Sequence, residues 1–212
     1  MMKGVSSETV TGDWRARSAA TRRRRSQTKI IDAARALFEA RGYDDTTIDA
    51  IAERAGVGPA TIYEHYGTKD ALTGAVFVEK LGDLDGPAAA DAAALPVREA
   101  VYRHLLRLAT VVHKHRPLTT ALLSAVNRTD GPPVDPRDPR LIVPLPRPLA
   151  VIFTAAAGRG EITVPTTPED TAASITSWLL LRVKARDETP EQSAEFVTAL
   201  VLDGLLARSP SS

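Results

Sequence analysis

The sequence predicts an all-α chain: an N-terminal three-helix domain built on a helix-turn-helix, then a larger C-terminal helical region, about nine helices in all. Two observations carry that expectation. Two short helical patterns flank the turn Gly56-Val57-Gly58 between Thr46 and Lys69. Apolar residues then recur at helical spacing through the C-terminal half, opened by capped starts such as Thr167-Pro168-Glu169-Asp170 and Thr189-Pro190-Glu191-Gln192.

The chain begins with a basic segment. Residues 1–25 carry Lys3, Arg15, Arg17 and the run Arg22 to Arg25 against Glu8 and Asp13, a local charge of +5 that leaves −4 for the rest. Rich in Ser, Thr, Ala and Gly, it reads as a disordered arm when free. Its arginines, Arg24 and Arg25 above all, could lie along phosphates or enter a minor groove; the alternative is a solvated tail without defined contacts. A first helix follows from about Gln27 to Arg41, with Ile30, Ala34, Leu37 and Phe38 on one stripe.

The next helix places Ile48, Ile51, Ala52 and Ala55 at i, i+3, i+4 and i+7. Thr46 or Thr47 is its natural N-cap, and Asp49 has the capping-box offset from Thr46. Gly56 ends it, because a sharp turn calls for a left-handed residue. Gly58 caps the following helix, with Pro59 at the first position where its missing N–H costs nothing. That helix is about two turns long and ends near Gly67, the signature of a helix-turn-helix. With Ile62 inward, Ala60 and Glu64 face outward and Thr61 and Tyr63 flank them. A recognition helix needs such a face, small at its start and polar or aromatic beyond. Thr68 caps a fourth helix that starts at Lys69. A cation there is disfavoured by the macrodipole, and a phosphate would reverse the balance.

The fourth helix runs to Gly86-Pro87, followed by the alanine-rich stretch 88–94, read as a helix start or a linker. Pro96 opens a fifth helix with Val97, Val101, Leu105, Leu108 and Val112 in phase; Leu118, Ala121, Leu122 and Ala125 mark a sixth. Residues 131–148 hold so many prolines that a loop is expected instead of a regular helix. A seventh helix spans Leu149 to Ala157. The last two have apolar residues on two sides and must be covered on both.

The string T-T-I-x-x-I-A-x-x-A-G-V-G-x-x-T-I-Y-x-H-Y-x-x-K-x-x-L, from Thr46 to Leu72, resembles the tetracycline-repressor-like (TetR) family of bacterial transcriptional regulators. Ile30 to Phe38 and Gly42-Tyr43 look like that family's first helix and its exit, so the resemblance covers about residues 26 to 82. Tyr66 departs from it where Phe is more usual. The resemblance implies a division into an arm, 1–25, a DNA-binding domain, 26–72, and a ligand-binding and dimerisation domain, 73–212. It assigns Lys69 a phosphate contact. It also implies a four-helix dimer interface made by the last two helices, for which Ile175, Leu179, Val197, Val201 and Leu205 are the candidates. Two recognition helices related by a two-fold axis would read a palindromic or near-palindromic operator in double-stranded DNA. Pro59, Ala60, Thr61, Tyr63 and His65 are the candidates for base contact. Thr46, Thr47, Tyr63 and Lys69 are those for phosphate.

By the same resemblance, a small molecule bound in the C-terminal helices would release DNA, provided it binds the DNA-incompatible state more tightly. Helix phase offers Tyr102, Leu106, Leu122, Phe153 and Trp178 as lining, which would suit an apolar or aromatic effector. The expected function is thus a homodimeric, ligand-released repressor. The alternatives are a DNA-binding protein without an effector, architectural or partner-controlled, and an all-α small-molecule binder.

The sequence holds 212 residues, net charge +1 and no cysteine, which removes disulfides and thiolate sites and fits a reducing cytoplasm. No apolar run is long enough to span a bilayer, so no membrane partner is expected. His104, His113 and His115 make no metal site by spacing: His113 and His115 diverge on a helix, and His104 lies about 16 Å from His115 at ~1.5 Å per residue. No nucleophile elbow, Walker loop or dinucleotide fingerprint is present, so neither catalysis nor a cofactor is expected.

Overall fold

The computed structural model describes residues 8–128 and 133–206; the side chains of 8–13, Arg15 and 204–206 are outside that description. Among the described residues every regular element is a helix: α1 Glu8–Arg41, α2 Ile48–Ala55, α3 Pro59–Tyr66, α4 Lys69–Leu81, α5 Asp85–Ala94, α6 Val97–Lys114, α7 Arg116–Asn127, α8 Pro139–Ile142, α9 Arg147–Gly158, α10 Pro168–Ala185 and α11 Pro190–Leu206. None is long and apolar enough to cross a membrane.

The first three helices form a tripod around Ile30, Phe38, Ile51 and Ile62, all buried. Thr47, not Thr46, is the N-cap of α2, its hydroxyl accepting from the Ala50 N–H at 3.1 Å. Gly56 takes φ +65°, and the amides of Gly56 and Val57 close back on Glu53 and Ala52. A left-handed glycine satisfies the last carbonyls of α2 there and turns the chain sharply into α3.

Behind the tripod, α4 packs on α1, α7 and α8 and joins it to the C-terminal helices. There α6 packs on α11, α5 and α10 on α9, and α10 on α11. Phe77, Leu105, Leu108, Leu118, Leu149, Ile152 and Phe153 are fully buried, and this core runs without a break into that of the tripod. Each such side chain contributes roughly 1.5–3 kcal/mol by leaving water.

Four boundaries differ from expectation. The first helix reaches back to Glu8, so residues 8–25 are helical where a disordered arm was expected; residues 1–7 are outside the described part. Between Asp13 and Arg41 the chain has neither Gly nor Pro and many Ala and Arg, which favour helix irrespective of burial. The fourth helix stops at Leu81, and the alanine-rich stretch is a helix of its own. It holds Gly86 and Pro87 in its first turn, where an N–H has no intrahelical partner to lose. Within the proline-rich segment one turn of helix forms, α8, because Pro139 occupies its first position and Asp138 caps it through the Arg140 N–H at 2.8 Å.

Candidate nucleic-acid interface

The recognition helix α3 is anchored by Ile62, which is buried, and by half-buried Tyr66 against the core. Pro59, Ala60 and Glu64 are exposed, and Tyr63 is 52% exposed. Thr61 and His65 sit at the margin, half-buried. The helix thus presents a small N-terminal end and an aromatic flank, the form that can approach base edges.

Two of the expected phosphate contacts are engaged elsewhere. Thr46 is fully buried, and its hydroxyl donates to the Gly42 carbonyl at 2.7 Å, so it is a packing residue of the α1–α2 turn. Lys69 turns inward: Nζ donates to the carbonyls of Tyr43 at 2.9 Å and Thr46 at 3.0 Å, 3.8 Å from the Tyr43 ring centroid. Burial and nearby Arg128 hold its pKa below the usual lysine range. Tyr43 in turn donates its hydroxyl to the Asp70 carboxylate, and burial followed by that bond pushes its pKa up. Thr47 stays exposed at the start of α2, its oxygen shared with the cap.

The arginine run lies on α1, beside α3 rather than ahead of the domain. Arg22, Arg23 and Ser26 share a cleft with Thr61, Glu64 and His65 of the recognition helix. Arg24 and Arg25 are exposed, and Arg25 falls on another face with Trp14, Arg17 and Arg22. Of the run Arg22 to Arg25 offered for phosphates, with Arg24 and Arg25 foremost, it is Arg22 and Arg23 that stand beside the recognition helix. Helical register could have found them, since Arg22, Ser26 and buried Ile30 follow at i, i+4 and i+8. Glu64 lines the same cleft as these two arginines.

In the C-terminal half, a cavity of about 180 Å³ opens between the end of α4, the proline-rich segment and α9, walled by Val78, Leu81, Leu84, Ile142, Leu145 and Pro148. None of the five residues offered by helix phase lines it. Leu122 and Phe153 are core, Tyr102 and Leu106 are half-buried, and Trp178 is 51% exposed on the outer face of α10. Helix phase misassigned Trp178, which points away from the domain interior.

The candidate dimer stripe is also displaced. Ile175, Leu179, Val197 and Val201 are buried within the single chain, while Leu205's side chain is outside the described part. The faces left open are Trp178 and Leu181 on α10 and Phe196 and Leu200 on α11, each about half exposed. Each helix has two apolar sides, and the chain's own core takes the one that sequence periodicity alone would give a partner.

The family model described as bacterial regulatory proteins, tetR family, matches residues 30–76, the tripod and most of α4. Over those residues the chain carries a TetR-type N-terminal domain. TtgW, an HTH-type transcriptional regulator of Pseudomonas putida, is 36% identical over 70 residues, 33% of this chain and 52% of that one. Such matches span about half or less of the curated relatives' own length. Over the whole fold, the chain is similar to the TetR-family repressor FadR of Thermus thermophilus, solved with lauroyl-CoA, at TM-score 0.70 and 22% identity, covering 88% of this chain and 98% of that one. FadR of Bacillus subtilis, solved with stearoyl-CoA, aligns at TM-score 0.64 and 19% identity over 84% and 98% of the two chains. At those identities the likeness is one of fold. The TetR-type N-terminal domain and its C-terminal helical body thus agree between sequence and architecture.

Proposed function

We propose that the protein is a sequence-specific transcriptional regulator, a homodimeric repressor that a small molecule releases from a palindromic operator. The observation that carries this reading is the recognition helix itself. Its buried side is fixed by Ile62 and its open side offers Pro59, Ala60 and Tyr63, with Arg22 and Arg23 alongside for phosphates. A second copy docked on Trp178, Leu181, Phe196 and Leu200 would pair two such heads about a two-fold axis.

The cavity behind α4 is the seat we assign to the effector. Its lining joins aliphatic side chains and prolines to the carboxylates of Asp83 and Asp85, and its volume of about 180 Å³ is smaller than the ~300 Å³ at which ordinary ligand sites begin. An effector that fits only after α4 and the proline-rich segment separate binds the rearranged state better, which is the condition for release. Acyl chains and small aromatic compounds are the classes to screen first, the former because two similar folds hold acyl-CoA.

The test is a mobility-shift and footprinting experiment on DNA flanking the gene, at two salt concentrations. A protected, near-symmetric site is expected. Weak, sequence-blind binding would favour an architectural protein, and no binding would overturn the reading.

A further inference from the structure

The proline-rich segment between α7 and α9 belongs to the C-terminal body, yet it reaches the end of the recognition helix. Gly67, which closes α3, has φ +78° and ψ −45°. A Cβ placed on Gly67 would lie 2.7 Å from Cδ of Arg137 and 3.0 Å from its Nε and Nη1. Only a glycine lets the Arg137 side chain cross the α3–α4 junction at this distance.

The segment reads Asp135-Pro136-Arg137-Asp138-Pro139-Arg140, and its charges divide unequally. Asp138 takes Arg140, at 2.6 Å between Oδ2 and Nη2, while also capping α8. The Asp135 carboxylate accepts the backbone N–H of Arg137, at 2.8 Å, and its carbonyl accepts that of Asp138. Among the described residues the Arg137 guanidinium has neither an ion pair nor a hydrogen bond, and the residue is exposed. Meanwhile Lys69, two residues beyond Gly67, spends its ammonium on the carbonyls of Tyr43 and Thr46. The junction that follows a recognition helix thus lacks its own free lysine, and a guanidinium from a segment about 70 residues later stands there instead.

We propose that Arg137 is a DNA-backbone contact: the C-terminal body reaches past the DNA-binding domain and lays this guanidinium on a phosphate beside the recognition helix. The inference rests on the DNA-binding reading above. The same segment supplies Ile142 and Val143, which pack on Gly74 of α4, and Ile142 and Leu145, which wall the cavity. A molecule that widens the cavity therefore displaces Arg137 together with α4. One and the same segment then binds DNA and senses the occupant.

The test compares wild type, Arg137→Ala and Arg137→Lys on the footprinted site by fluorescence anisotropy from 50 to 200 mM salt. Each phosphate contact adds about 0.9 to the slope of log affinity against log salt, so Arg137→Ala in a dimer should flatten it by about 2. Affinity should fall roughly tenfold at the low-salt end, and Arg137→Lys should keep most of the slope. An unchanged slope for Arg137→Ala, with or without lost affinity, overturns the inference and leaves Arg137 a prop for the Gly67 turn. If wild type itself protects no site, the DNA-binding reading has failed instead.

Discussion

Arg128, at the end of α7, lies 2.5 Å from the carboxylate of Asp44 in the turn between α1 and α2. Its guanidinium is also 5.4 Å from the Tyr43 ring centroid, on the ring that Lys69 approaches. The C-terminal body is thus fastened to the DNA-binding tripod through a charge pair as well as through α4. Both side chains are well exposed, so the pair itself should contribute little. A double-mutant cycle of Arg128→Ala and Asp44→Ala, read by urea unfolding, should give a coupling of about 0.2–1 kcal/mol that shrinks with added salt. A coupling several times larger would mean that the two bodies depend on this clasp for stability.

Lys69 invites a sharper expectation, because its ammonium is tied to two backbone carbonyls. Lys69→Met keeps the aliphatic stem and removes both hydrogen bonds, leaving the Tyr43 and Thr46 carbonyls without this donor. Chemical unfolding should register a loss of about 1–3 kcal/mol. The salt slope of DNA binding should stay close to wild type if the ammonium keeps to those two carbonyls when DNA is bound. A flattened slope with unchanged stability would restore the family's phosphate role to this lysine.

How these lysine and arginine positions differ from expectation marks what the sequence could tell. The helix-turn-helix was legible because its determinants are local: Thr47 three residues before the amide it caps, Gly56 at a forced turn, Pro59 at a first helical position. Lys69 looked like a phosphate ligand from its own helix; only the fold brings the Tyr43 carbonyl to it. The same limit applies to Arg137 and Gly67, whose meeting depends on a segment about 70 residues away. The cavity is built from α4, α8 and α9 together, so phase along single helices offered core residues such as Phe153 instead. On α10 and α11 periodicity found both apolar sides correctly and could not say which one the chain keeps for itself.

His104 gives a pH test of the core. It is fully buried on α6 with neither ring nitrogen hydrogen-bonded among the described residues. Burial, and then Arg107, push its pKa down to about 4, against the opposing pull of Asp91. The unfolded chain binds this proton near pH 6.5 and the folded chain only near pH 4, so stability is complete above pH 6.5 and falls as pH drops through that window. The loss attributable to this ring approaches about 3 kcal/mol at the acid end. His104→Leu should remove that part of the slope, seen as a difference between wild-type and variant unfolding free energies that changes steadily from pH 7 to pH 4. Parallel curves for the two proteins would mean that the ring gains a partner or water when it charges.

The proposed dimer face can be tested without disturbing the core, because its residues are already half in water. Trp178 and Leu200 are 51% and 55% exposed, so a carboxylate at either position need not enter the interior of the monomer. Across a two-fold interface each substitution occurs twice, and burying two unpaired charges costs far more than the apolar contact returns. Trp178→Glu or Leu200→Glu should therefore move the protein from dimer to monomer in sedimentation velocity while leaving far-UV circular dichroism unchanged. Operator affinity should fall with it, because a single recognition helix loses the half-site that the second would hold. Val201→Ala serves as the contrast: Val201 is buried in the chain's own core, so this change should lower stability and leave the dimer in place. If instead Val201→Ala dissociates the dimer and Leu200→Glu does not, the interface lies on the inner stripe and the two helices must open to form it.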